Sequence, residues 1–105
     1  MKRTFSYELA QDYGAFLDAV KWTYYAALHA MAMEGCRVAL LCWVSGGLYA
    51  GPFKSSYGVA SDGTVVLRII NEVLQMRCYH EGREHKLADF FEKVALVMKG
   101  PPRQY

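Results

Sequence analysis

No Cys-x-x-Cys pair occurs in this chain, no block of like charge, and no apolar run that approaches a membrane span. Its three cysteines, Cys36, Cys42 and Cys78, are odd in number and widely spaced, which argues against a secreted disulfide framework. The longest apolar run near the middle, Val38 to Val44, has seven residues; about twenty are needed to cross a bilayer. After Met1, Lys2 and Arg3 the sequence runs Thr4, Phe5, Ser6, Tyr7, Glu8, with none of the apolar region of a secretory signal. A cytoplasmic protein with reduced thiols and no membrane association is expected.

Positive charge is also scarce. Twelve Lys and Arg against ten Asp and Glu give a net charge of +2, and the balance is −1 over residues 1–35, +1 over 36–76 and +2 over 77–105. Phosphate contacts supply most non-specific nucleic-acid affinity, so this thin spread argues against a nucleic-acid partner. What the chain does have is apolar mass: 53% of its 105 residues are hydrophobic. That suffices for one core without metal or disulfide staples, and the expectation is a single domain over 1–105 with 99–105 as a frayed tail.

The clearest element is a helix from about Glu8 or Gln11 to Glu34. Leu9, Tyr13, Phe16, Leu17, Val20, Tyr24, Ala27, Leu28 and Met31 recur at spacings of three and four and form one core face. Gly35 follows and can stop the helix in the left-handed conformation. From Cys36 the period changes. Arg37 to Val44 reads as a buried strand, Ser45, Gly46 and Gly47 as a turn, and Leu48 to Phe53 as a returning strand ended by Pro52. Tyr57 to Ala60 and Thr64 to Ile70 flank Ser61, Asp62 and Gly63, a hairpin signal.

Residues 64–80 carry two competing periods. Thr64, Val65, Val66, Ile69 and Ile70 favour a strand, and Leu74, Met76 and Cys78 alternate with polar neighbours. Arg68, Asn71, Glu72 and Gln75, however, form a polar helical stripe that Ser61 or Asp62 could cap and Gly82 could end. The Asp62–Gly63 turn tips the expectation to strands. A last helix is expected from about His85 to Lys99, with Leu87, Phe90, Phe91, Val94 and Met98 on one face and Gly100, Pro101 and Pro102 as its stop. The sum is an α+β fold: a long N-terminal helix, an antiparallel β-meander of three to four strands, and a C-terminal helix packed on one sheet face.

Candidate chemistry is thin. Cys78, His80 and His85 gather a thiol and two imidazoles, but the Cys-x-His-x4-His spacing matches no strong zinc signature. The same residues could serve a small cysteine-dependent enzyme, with Cys78 activated by His80 or His85. No third group or oxyanion site accompanies them, and a packed thiol beside solvated histidines accounts for the pattern. Gly46, Gly47 and Gly51 match no phosphate-binding loop. Asp12 and Asp18 diverge on a helix and cannot share a proton-transfer site. Lys54, Ser55, Ser56 and Tyr57 could form a base-stacking loop, yet no positive groove accompanies it. No cofactor is implied.

The other side of the first helix is more informative. Gln11, Asp18, Trp22, Tyr25, His29 and Met33 lie away from the core arc, and the last four are spaced 3, 4 and 4. Aromatics with a polar handle, together with Met, are enriched at protein interfaces. Either a second layer of the same domain covers this face, or a partner does. The expectation is a small non-catalytic interaction protein, such as an inhibitor, adaptor or assembly subunit, that binds another protein or its own copy as a homodimer. The thiol enzyme and a nucleic-acid-binding protein are the alternatives.

Overall fold

A computed structural model describes residues 12–43, 57 and 63–97. Over these residues the protein is α+β, with a long N-terminal helix and two small sheets. Helix α1 spans Tyr13–Met33. Asp12 caps it, its carboxylate accepting from the Ala15 amide at 3.1 Å, which satisfies one of the four orphan donors of the first turn. Gly35, at φ +86°, ends it. The Cys36 amide donates to Met31 O and the Gly35 amide to Ala32 O, each at 3.0 Å, the paired bonds that close a helix around a left-handed residue.

Strand β1 (Val38–Cys42) follows directly. Helix α2 (Thr64–Leu74) then leads into a hairpin of β2 (Arg77–His80) and β3 (Arg83–Lys86). Glu81 and Gly82 join these strands with φ of +53° and +77°, the two positive values that match a tight turn to the strands' right-handed twist. A short 3-10 turn, Leu87–Phe90, connects to β4 (Lys93–Val97). β1 and β4 pair in parallel from Val38↔Lys93 to Cys42↔Val97, while β2 and β3 pair antiparallel.

The core is built on a row of every fourth residue of α1: Phe16, Val20, Tyr24, Leu28 and Ala32. Val66, Ile69, Ile70 and Val73 of α2 meet it, joined by Ala39 and Leu41 of β1, Tyr57, Cys78 and Leu87. Such i, i+4 rows are the ridges by which helices interdigitate. The Tyr24 hydroxyl donates to the Cys42 carbonyl at 2.6 Å and ties α1 to the end of β1. Tyr57 packs edge-on against Phe16, with ring centroids 5.1 Å apart, and against Trp43 at 6.2 Å.

Three expectations are corrected. Residues 64–74 are helix, not strand: Val66, Ile69, Ile70 and Val73 fall on one helical face, and burying that face outweighs the β preference of branched side chains. Residues 85–97 are not a helix. The Asp89 carboxylate accepts from the Lys86 amide at 3.0 Å, holding a tight turn, and the Val94 to Val97 run is short enough to serve as a strand. The Glu92 amide donating to Arg37 O at 2.7 Å starts its pairing with β1. Among the described residues β1 belongs to a parallel pair and not to an antiparallel meander, its neighbour β4 lying about fifty residues away. The expected strand Leu48 to Phe53, the residues of Tyr57 to Ala60 other than Tyr57, and the tail 99–105 lie outside the described residues.

Candidate functional site

Helix α1 carries its apolar residues nearly all the way round, whereas α2 segregates them sharply. Between Tyr13 and Met33 its charged residues are Asp18 and Lys21. A helix turned to water normally shows a charged face, so the outer side of α1 is poorly matched to solvent. On it, Asp18 is exposed, Trp22 is 48% exposed, and Tyr25, His29 and Met33 are half-buried. Gln11 lies outside the described residues.

The rings on this face touch in series. Trp22 meets Tyr25 edge-on with centroids 5.6 Å apart, and Tyr25 stacks on His29 at 5.6 Å with planes 20° apart. The helical spacing sets this geometry, because residues three and four apart are surface neighbours. Side chains held against one another in this way lose less freedom on contact with a partner than isolated ones would, which lowers the entropic cost of binding. Tyr25 and Met33 also lean on the core, so the stripe is anchored from below.

The thiol–imidazole group resolves differently. Cys78 and His85 are direct cross-strand partners in the β2–β3 hairpin, and the His80 and His85 rings lie 6.4 Å apart. Both rings rest on Phe90, at 5.6 Å and 5.2 Å. His80 Nε2 is 3.7 Å from a Glu81 carboxylate oxygen. Cys78 itself is buried, and burial, with the Asp89 carboxylate adding to it, pushes its thiol pKa up. A catalytic thiol needs the opposite shift. No cluster of three or more His, Cys, Asp or Glu positioned to hold a metal ion occurs among the described residues. Tyr57 is fully buried and cannot stack on a base; Lys54, Ser55, Ser56 and the glycines at 46, 47 and 51 lie outside the described residues. Asp12 is occupied as a helix cap.

One feature had no sequence signal. An open cleft of about 390 Å³ lies where the end of α1 meets the 3-10 turn, lined by Gly35, Cys36, Arg37, His80, Asp89 and Phe90 among others. Its residues come from three separated segments, so no motif could have announced it. At its rim Arg37 and Glu92 form an ion pair at 2.8 Å, both largely in water. Such a pair contributes little to stability.

No known family, characterised protein or solved structure matches this chain. No relative's sites can therefore be carried over. No helix among the described residues is long and apolar enough to cross a membrane.

Proposed function

We propose that this protein is a non-catalytic interaction module that binds a protein partner through the outer face of α1, acting as an inhibitor, adaptor or assembly subunit. The observation that carries the reading is the continuous Trp22–Tyr25–His29 stack on a helix face of low charge. Large, pre-ordered aromatic groups at the centre of a patch are the usual carriers of binding energy. Trp22, Tyr25, His29 and Met33 make the binding face, with Asp18 at its polar rim. Occlusion or bridging is the mechanism, with no chemical step. The buried, protonated Cys78 counts against a thiol enzyme, and the buried Tyr57 together with the thin positive charge counts against nucleic acid.

The test is affinity capture of the tagged protein from its native lysate, with Trp22→Ala and Tyr25→Ala copies beside it and native mass spectrometry as the readout. Each substitution is expected to weaken association by more than about 1 kcal/mol while circular dichroism and the melting curve stay unchanged. If both variants unfold, the stripe belongs to the core and the reading is lost.

A further inference from the structure

We propose that the partner seated on α1 is a second copy of this chain, packed antiparallel across a two-fold axis that passes between Thr23 and Tyr24. This rests on the reading that the aromatic face of α1 is a docking surface, and it names the occupant.

The stripe is complementary to itself. A two-fold interface requires one surface to carry both halves of every contact. The stripe does. Its side chains repeat at alternating spacings of three and four, Asp18, Trp22, Tyr25, His29, the seam pattern that lets two helices lie side by side. Reversing the helix about the midpoint of 23 and 24 sets Trp22 against Tyr25 of the second copy. It also sets Asp18 against His29 of the second copy, and both contacts occur twice. Asp18 and His29 stand about 8 Å on either side of the axis, at a rise of about 1.5 Å per residue.

The polarity of that pair decides the orientation. A carboxylate accepts hydrogen bonds and an imidazole N–H donates one, so Asp18 and His29 complement each other across an antiparallel pair. A parallel pair would set Asp18 against Asp18 and His29 against His29, two like contacts. Met33 of the second copy reaches the Gly14–Ala15 step, where both residues are exposed and small. Among the described residues, a Cβ at Gly14 would meet the Asp12 carboxylate, at an ordinary 3.4 Å.

Sedimentation equilibrium of the purified chain reads the oligomer, and a dimer is expected at roughly 100 µM, where the scattered contacts of weak encounters have already dissociated. Asp18→Lys alone and His29→Glu alone are each expected to raise the dimer dissociation constant about tenfold or more, since each change is felt twice. The double variant sets opposite charges against each other and is expected to return within about threefold of the parent.

Register is tested by Asp18→Cys with His29→Cys, in a chain whose exposed Cys36 and Cys42 are replaced by Ser. Along one helix the two positions are about 16 Å apart, far beyond disulfide reach, so any 18–29 bridge joins two chains. Oxidation is expected to give that bridge; an 18–18 bridge instead would overturn the antiparallel register. A parent chain that sediments as a monomer overturns the second copy as occupant. If Trp22→Ala then still abolishes capture of a foreign protein, the docking face stands and only the identity of its occupant falls. A dimer indifferent to Asp18→Lys, His29→Glu and Trp22→Ala is built elsewhere, which overturns the proposal.

Discussion

Tyr57 offers a quantitative test of the core. Its side chain is fully buried, and desolvation, reinforced by the neighbouring Tyr24 hydroxyl, raises its pKa far above the ordinary phenol value of 10.0. In the unfolded chain the same phenol ionises normally. Above pH 10 the unfolded state therefore releases a proton that the folded state keeps, and stability falls as pH rises. Below pH 10 both states are neutral at this residue and it contributes no pH dependence. One proton is worth about 1.4 kcal/mol per pH unit once the unfolded group is fully ionised, so the loss reaches about 2 kcal/mol by pH 11.5. Tyr57→Phe removes this dependence while keeping the ring that packs edge-on against Phe16. The assay is urea denaturation of parent and variant at pH 8 and pH 11.5. The variant is expected to lose its Tyr24 contact equally at both values, then to fall about 2 kcal/mol less than the parent between them. An equal fall in both proteins would show that Tyr57 ionises freely when folded and would refute its placement in the core.

Leu28 is fully buried in the middle of the α1 row, so Leu28→Ala is expected to cost about 2–5 kcal/mol in a denaturant titration. Gly82→Ala, at φ +77° in the β2–β3 turn, meets no neighbouring atom among the described residues, so its expected cost is backbone strain of about 1 kcal/mol, read as a lower melting temperature. Iodoacetamide at neutral pH is expected to label exposed Cys36 and Cys42 well before buried Cys78, with mass spectrometry of the digest as the check. Faster labelling of Cys78 would revive the thiol chemistry.

How much of this was legible in the residues depended on the range of the interactions involved. Helix α1 could be read because its period and its Gly35 stop are local, although its Asp12 cap was not singled out as the start. Strand β1 was legible as a short apolar run, but it is not the buried strand expected: Ala39 and Leu41 face the core while Val38 and Leu40 are more than half exposed. Helix α2 was misread because its β-branched residues point to strand locally, and only the row on α1 makes their helical face worth burying. The C-terminal segment misled in the reverse sense. Leu87, Phe90, Phe91 and Val94 keep helical spacing, yet Leu87 fills the core, Phe90 supports two histidines, and Val94 joins a sheet whose other strand lies far back in the chain. The aromatic stripe followed from spacing alone, as any pattern on a single helix can. The cleft beside Cys36 did not, because three distant segments meet there.

The parallel pairing of β1 with β4 has a consequence for how the molecule assembles. Val38 and Lys93 are 55 positions apart, so closing this ladder carries a large chain-entropy cost that local hairpins and helices avoid. We expect α1 and the β2–β3 hairpin to form early, with the ladder as the slow, late event. On a ribosome, β1 emerges and waits while more than fifty further residues are synthesised, a delay of several seconds at about 5–20 residues per second. Throughout that interval Val38 and Leu40 present an unpaired apolar strand to whatever is nearby. Even in the finished protein Leu40 stays 65% exposed, so the strand most prone to stray pairing during synthesis keeps one uncovered face afterwards. Low expression temperature, or a charge at Leu40 on that open face, should therefore raise the yield of folded protein far more than it raises the protein's stability.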